Sequence, residues 1–268
     1  MKPKPIQPGW GRRWTRQSIA LFRRAPRLAV LVMVLFSLCN SFVPQPLALN
    51  VPATVFLVGL LFSSLRAADR DSGNAWGATW LYFRQTARDL ALLARDAFLI
   101  MLVLGFLIAL FFATYAAATH GIGHVKPEIG YRQLPHWIKS GILQGATMLT
   151  LGVFLPGVVP MIFLTMSVGN QPLLHYVTGY NAAVLNMRVT YIVSFAGLLA
   201  CNLLPSVLRQ MPALWFGYLL LCGFAAAFWW FGAWGYLWCR EMFEGTEENA
   251  KETAKQRSRK HAVVSAGT

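Results

Sequence analysis

The sequence predicts an all-α protein: a polytopic membrane helix bundle of about six transmembrane helices, with amphipathic helices at the membrane surface. Hydrophobic residues make up 56% of the 268 residues and charged residues only 13%, whereas an average soluble domain carries about 25% charge. Uncharged apolar stretches alternate with short polar joints along the chain, and about 20 apolar residues suffice for a helix to cross the hydrocarbon core. The net charge of +14 comes mainly from the ends and joints, where basic flanks are attracted to anionic lipid.

A basic interfacial helix is predicted over residues 1–27, before the first span. The stretch Trp10–Arg27 contains six arginines, and from Trp10 to Leu21 apolar and small residues recur at the 3–4 spacing of one helical face. Pro26 ends the helix. We expect its rings and guanidinium groups among anionic headgroups. An ordinary positive-inside flank is the favoured interpretation, and a specific lipid or partner site is the alternative. The residues assigned here to lipid or partner binding are Trp10, Arg12, Arg13, Trp14, Arg16, Arg23 and Arg24.

The transmembrane bundle is expected over residues 28–239. Its six spans contain no Asp, Glu, Lys, Arg or His, and they are placed at residues 28–43, 47–65, 97–118, 142–168, 189–207 and 213–239. Pro156 and Pro160 predict a kink in the fourth span. Residues 171–187 are semi-polar and predict either an interfacial helix or a re-entrant segment. Residues 240–268 lack apolar periodicity and predict a charged cytoplasmic tail that is either a frayed helix or disordered.

A second amphipathic helix is predicted over residues 74–96, where Asn74 can act as its N-cap. Apolar residues recur from Trp76 to Ala94 at steps of three and four, and charged residues occupy the other face. A connector in the interface and a binding helix for a partner both fit this pattern, and the connector is favoured. The residues that complete the predicted lipid- or partner-binding set are Trp76, Trp80, Arg84 and Arg88.

The distribution of basic residues predicts the orientation. With these spans, 20 of the 24 lysines and arginines lie on the side of both termini, and 4 lie on the other side. Short flanks rich in lysine and arginine stay in the cytoplasm. We therefore expect a multi-pass protein of the bacterial inner membrane with both termini in the cytoplasm.

The opening residues resemble a family of uncharacterised bacterial inner-membrane proteins. The residues that carry the resemblance are Gly9-Trp10 and Ile19-Ala20-Leu21-Phe22-Arg23-Arg24-Ala25-Pro26. Proteins of that family begin with Gly-Trp, continue in a helix that ends Leu-Phe-Arg-Arg-Ala-Pro, and then run through about six helices. Shorter similarities lie at Ala67-Ala68-Asp69-Arg70 and between Tyr236 and Phe243. The resemblance implies an inner-membrane bundle and brings no catalytic residues, because the family has no settled activity.

Polar groups within the spans are few. Coupled transporters place ionisable groups in the membrane, and none falls in the six spans. The possible intramembrane polar site consists of Asn50, Gln144 and Asn202, for which hydrogen bonds between helices are the favoured interpretation. His120 and His124 have the i, i+4 spacing of metal ligands, but the glycines between them disfavour a helix, so we expect no metal. No nucleotide, zinc-protease or hydrolase motif is present, and we expect no cofactor and no nucleic-acid partner.

Three classes of function fit these observations. The first is a non-catalytic membrane factor with a scaffold, assembly or immunity-type role, which binds anionic lipids or a protein partner at its cytoplasmic face. The second is a channel or transporter for a neutral or lipidic solute. The third is a small membrane enzyme. The sequence favours the first class, and it leaves the oligomeric state open.

Overall fold

The structure is a computed structural model that describes residues 3–42, 47–70, 74–120, 155–169, 171–196 and 222–244. Every regular element in these residues is an α-helix, and no strand occurs among them. The helices in chain order are α1 Trp10–Arg24, α2 Pro26–Phe42, α3 Leu47–Arg70, α4 Ala75–His120, α5 Leu155–Val168, α6 Pro172–Leu185, α7 Met187–Ala196 and α8 222–244. The predicted all-α class is confirmed.

The basic helix α1 has the bounds that its local sequence dictates. Gly9 precedes it with φ 76°, a left-handed conformation that glycine adopts without steric cost. Pro26 follows it and opens α2, a position where the missing N–H of proline is harmless. The buried residues of α1 are Trp14, Ser18 and Leu21. They belong to the predicted face, and this face packs against protein.

One long helix, α4, replaces two predicted elements. The surface helix over 74–96 and the third span over 97–118 are continuous in α4, which has 46 residues. No proline or glycine lies between residues 78 and 104, so nothing in the sequence stops the helix at the expected joint. At 1.5 Å per residue α4 is about 69 Å long, more than twice the roughly 30 Å of a hydrocarbon core.

The face of α4 that packs inward differs from the predicted one. Leu90 and Ala94 are buried as expected, together with Leu93. Trp76 and Trp80, however, are 60% and 64% exposed. The sequence cannot separate these groups, since apolar residues serve both a protein core and a lipid-facing surface. Contact with α3 determines which apolar residues of α4 are buried.

Helices α3 and α4 pack in antiparallel register through a glycine contact. A Cβ on Gly59 would lie 2.6 Å from a methyl carbon of Leu90, so only glycine lets the helices approach this closely. Further along, the guanidinium carbon of Arg66 lies 5.5 Å from the ring centroid of Tyr82. In this register, a residue of α3 and the residue of α4 that lies opposite it have numbers that add up to about 149.

This register separates two spans that were expected side by side. Residues 47–65 of α3 lie level with residues 84–102 of α4. The predicted third span, 97–118, therefore extends about 24 Å past the start of α3. A straight α4 cannot place both predicted spans in one slab, so that part of the six-span arrangement is not supported.

The apolar stretches of α2, α3 and α8 lie side by side. Leu61 of α3 fits against Gly232 of α8, where a Cβ would lie 2.1 Å from one Leu61 methyl carbon. Phe36 of α2 stacks on Phe228 of α8 with ring centroids 3.9 Å apart. One main core cluster contains buried side chains from α1 to α6 and from α8, and partly buried side chains of α7 pack against it.

Residues 171–187, for which two alternatives were open, form α6 and the start of α7. Helix α6 packs closely on α5: a Cβ on Gly179 would lie 2.7 Å from Cβ of Pro160, and a Cβ on Gly157 would lie 2.2 Å from the Tyr176 ring. Thr165 and His175 are buried between these helices, with Oγ1 and Nδ1 3.3 Å apart. The two alternatives for residues 171–187, an interfacial helix and a re-entrant segment, stay predictions.

Among the described helices, fewer are long and apolar enough to cross a membrane than the six that the sequence predicts. By length and hydropathy one helix within the described residues, Pro52–Arg70, could cross a membrane, and 56% of its apolar window is buried in the protein. Helices α2, α5 and α7 supply apolar segments that are shorter than a span. The number of six spans stays a prediction.

Candidate functional site

Charged residues from distant parts of the chain meet at one end of α3 and α8. Arg240 donates a short hydrogen bond to Asp69, and Arg70 donates one of 2.9 Å to Glu244. Helix α8 thus continues to residue 244, past the predicted end of the last span at 239. The predicted tail boundary is corrected at this point, and residues 245–268 lie outside the described residues.

Glu241 joins α8 to the N-terminal helix. Its carboxylate accepts hydrogen bonds of 2.6 Å from Arg13 Nη2, 2.9 Å from Trp14 Nε1 and 3.2 Å from the backbone N–H of Gln7. We call these four residues the Glu241 network. Burial alone would raise the pKa of Glu241, but the three hydrogen bonds and the Arg13 charge outweigh it and lower the pKa below its ordinary value. Glu241 is therefore a charged joint between the first and last described helices.

Trp14 occupies the interior of this joint. It is 1% exposed, and its ring centroid lies 4.8 Å from that of Trp10 and 6.5 Å from that of Trp234. The sequence predicts Trp14 among lipid headgroups, but the structure places it against protein, where its N–H donates to Glu241 and its ring packs beside Trp234 of α8. Trp10 is half-buried in the same cluster.

A second polar network lies beside the first. Asp69 accepts hydrogen bonds from Arg240 and, at 3.4 Å, from the hydroxyl of Tyr236. Arg240 also donates a 3.2 Å hydrogen bond to Oε1 of Gln17 on α1. These four residues form the Asp69 network, which connects α1, α3 and α8. The predicted set contains none of them.

The chain before α1 is fixed by Asn186, which lies between α6 and α7. Its Oδ1 accepts a 2.7 Å hydrogen bond from the backbone N–H of Ile6, and its Nδ2 donates a 3.1 Å hydrogen bond to the carbonyl of Lys4. Asn186 is 7% exposed. Asn186 thus joins Lys4 and Ile6 to a helix pair about 180 residues away in sequence, and a hydrogen bond from the Lys4 N–H to the carbonyl of Met242 joins the same segment to α8.

The other predicted residues of α1 lie on its outer surface. Arg12, Arg16 and Arg23 are exposed, and among the residues that the structure describes they form no ion pair. We call these three residues the arginine surface. Arg13 is committed to Glu241, and Arg24 lines a cavity described below. Of the seven predicted binding residues in this helix, the arginine surface is therefore best placed to meet an external anion.

The predicted residues of α4 also point outward. Trp76, Trp80, Arg84 and Arg88 are all exposed and follow one another at steps of four. In the α3–α4 register, Arg84 lies level with residue 65 of α3. Trp80 and Trp76 then lie about 6 and 12 Å further toward the charged end. We call this set the Trp76 stripe.

The possible intramembrane polar site is not assembled by the described part of the chain. Asn50 belongs to the first turn of α3, but its side chain lies outside the described residues, as do Gln144, Asn202 and the loop that follows His120. Within the described ranges no group of three or more His, Cys, Asp or Glu residues is arranged to hold a metal.

One feature of the sequence, the position of charged residues near the ends of apolar stretches, could have pointed to the Glu241 and Asp69 networks. Charged residues are scarce in this chain. Asp69 and Arg70 lie within five residues of the uncharged stretch that ends at Leu65, and Arg240 and Glu241 follow directly on the one that ends at Cys239. Their sequence positions predict a common level at one membrane face. The pairing itself depends on how the helices pack.

Comparison with models of protein families, with curated proteins and with solved structures gives no match to this chain. The fold and the networks define an all-α protein that has at least one helix able to cross a membrane. The similarity of its opening residues to an inner-membrane family stays a prediction.

Proposed function

We propose that this protein is an integral inner-membrane protein and a non-catalytic membrane factor, which binds anionic lipid headgroups through the arginine surface and the Trp76 stripe. The observation that carries the proposal is the alignment of α2, α3 and α8. Their uncharged stretches pack at one level, and charged residues follow them at one end.

The dimensions of this layer support a membrane. Residues 47–65 of α3 extend about 29 Å as a helix, and a hydrocarbon core is about 30 Å thick. In the α3–α4 register, α4 brings Arg88 and the Arg95–Asp96 ion pair to the level of this layer, so the layer is uncharged on α2, α3 and α8 but not on α4. Several large apolar side chains on α2 face outward within the layer: Val30, Val34 and Leu38 are 45–51% exposed. In water such a surface would be costly, whereas lipid tails cover it without penalty.

The positions of the cationic groups support headgroup binding. The arginine surface belongs to α1, which packs at the charged end of α3 and α8 through the Glu241 and Asp69 networks. Trp76 and Trp80 lie within about 12 Å of the same end, at the depth where tryptophan is enriched in membrane proteins. A basic residue near an anionic leaflet contributes about 1 kcal/mol, so several together would select anionic lipid.

The orientation can be tested in membrane vesicles. We expect a cysteine in place of Lys126 to be labelled from the periplasmic side and a cysteine in place of Glu252 only from the cytoplasmic side, because the basic flanks remain inside. Labelling of position 252 from the periplasm would contradict the proposed topology.

Lipid selectivity can be measured with spin-labelled phosphatidylglycerol and phosphatidylcholine in reconstituted protein. Replacing Arg12, Arg16 and Arg23 by glutamine should lower the preference for phosphatidylglycerol by up to about fivefold per arginine. The preference should also fall with salt, as expected for exposed charges. The matched control replaces Arg188, Lys251 and Lys255 by glutamine, which removes the same net charge outside the arginine surface. Equal losses in both variants would show that net charge alone sets the preference.

A further inference from the structure

A polar cavity of about 150 Å³ lies between α1, the end of α3 and α8. Elsewhere a cavity of this volume accommodates a benzene-sized molecule, so the space admits a phosphate group. The residues that line it are Gln17, Ala20, Leu21, Arg24, Asp69, Leu237 and Arg240. Four of the seven carry a polar or charged side chain, and three of these four belong to the Asp69 network.

Hydrogen bonds inside the Asp69 network leave mainly donors for the cavity. Gln17 uses its Oε1 to accept from Arg240, so its amide NH2 remains as a donor. Asp69 already accepts from Arg240 and from Tyr236, which compensates its negative charge. Both hydrogen bonds fall on Oδ2, so Arg240 balances the charge of Asp69 while Oδ1 remains as an acceptor beside these donors.

Arg24 supplies the positive charge that is left over. Within the part of the chain that the structure describes, it forms no ion pair. It is exposed and so lies at the mouth of the cavity. A guanidinium group offers five N–H donors in a planar fork that matches phosphate oxygens. With Arg24 and Arg240 against a single carboxylate, the lining carries a net charge of +1.

We propose that this cavity binds one phosphate group, held by Arg24, the Gln17 amide and the remaining N–H groups of Arg240, and that an anionic lipid headgroup supplies it. The lipid source rests on the proposed function, because the cavity lies at the charged end where headgroups are expected. The phosphate chemistry depends only on the donors, and a free phosphate ion would satisfy them as well.

The test is a calorimetric titration of the purified full-length protein in an uncharged detergent and a phosphate-free buffer. The probes are short-chain phosphatidylglycerol and, separately, inorganic phosphate. We expect one site per chain, and we expect Arg24→Gln to weaken binding about tenfold or more, since hydrogen bonds to charged groups are the stronger ones. Arg24→Lys, which keeps the charge without the fork, should lose less. Arg24 is exposed, so neither variant should unfold the protein.

Arg27→Gln is the matched control. Arg27 lies three residues away, is exposed and does not line the cavity, so its replacement should change the affinity by less than about twofold. Equal weakening in Arg24→Gln and Arg27→Gln, or unchanged binding in Arg24→Gln, would overturn the cavity site. Inorganic phosphate that binds with the same dependence on Arg24, while phosphatidylglycerol does not bind, would support the phosphate site and overturn the lipid source.

Failure of the cavity site can be told apart from failure of the proposed function. If the wild-type protein shows no saturable site for either probe but keeps its spin-label preference for phosphatidylglycerol, the cavity site is refuted and surface binding stands. If it shows neither the site nor the preference, both proposals fall.

Discussion

Glu241 is the residue whose removal should disturb this structure most at its charged end. Glu241→Ala deletes the acceptor of three hydrogen bonds, from Arg13, Trp14 and Gln7. The indole N–H of Trp14 would then have no hydrogen-bond partner, and Trp14 is only 1% exposed.

The magnitude follows from these contacts. An unpaired buried donor costs about 1–3 kcal/mol. The ion pair with Arg13 adds less, because the side chains of Arg13 and Glu241 are 33% and 23% exposed and exposed pairs contribute about 0–1 kcal/mol. We expect Glu241→Ala to lower the free energy of unfolding by about 1–4 kcal/mol. Glu244→Gln, which weakens the more exposed pair with Arg70, should cost less than about 1 kcal/mol and serves as the control.

The effect should depend on pH in a defined direction. The folded-state pKa of Glu241 is lowered, so its stabilising effect is complete above the unfolded pKa of about 4.3 and is lost as pH falls through the folded pKa. Unfolding of the purified protein in detergent, followed by tryptophan fluorescence at pH 7 and at pH values below 4, measures both effects. The difference between wild type and Glu241→Ala should narrow in acid. A difference that stays constant with pH, or one no larger than that of Glu244→Gln, would refute the role of the Glu241 network.

Two further perturbations test how the helices are held. Asn186→Ala should loosen residues 4–6, because it removes the hydrogen bonds from the Ile6 N–H and to the Lys4 carbonyl, while those from the Lys4 N–H to Met242 and from the Gln7 N–H to Glu241 remain. Faster amide exchange at Ile6, with little change elsewhere, is the expected readout, and unchanged exchange would contradict it. Gly179→Ala should destabilise the protein, since the new Cβ would lie 2.7 Å from Pro160 Cβ and overpacking costs about 1–3 kcal/mol. Gly223→Ala meets no atom within 4 Å and should be neutral or slightly stabilising in a helix, so equal thermal shifts in the two glycine variants would count against close helix packing.

Several features were predictable because local chemistry decides them. The long uncharged stretches predict helices, and all described regular elements are helical. Gly9 and Pro26 bound α1, and the 3–4 spacing from Trp14 to Leu21 identifies its buried face. Each of these depends on neighbouring residues alone. The continuity of α4 was also predictable from the absence of a helix breaker. The change from polar to apolar composition at residue 97 suggests a boundary, but a change in polarity does not interrupt the backbone hydrogen bonds of a helix.

Other features depend on contacts that local sequence does not encode. In a chain this apolar, periodicity does not say whether a tryptophan faces protein or lipid: Trp14 is buried and Trp80 is exposed, although both fit an amphipathic helix with arginine neighbours. The register of α3 against α4 is set by the Gly59–Leu90 contact, which requires two helices to meet.

The all-α class, the bounds of α1 and the position of charged residues near the ends of apolar stretches follow from consecutive residues alone. Packing of distant helices is what brings Glu241 to Arg13 and Trp14, more than 220 residues earlier in the chain. The same packing lets Arg240 bond to both Asp69 and Gln17 beside a polar cavity. The physical reason is that helix formation and hydropathy are properties of consecutive residues. A hydrogen bond between distant side chains exists only where packing brings a donor and an acceptor to within about 3 Å.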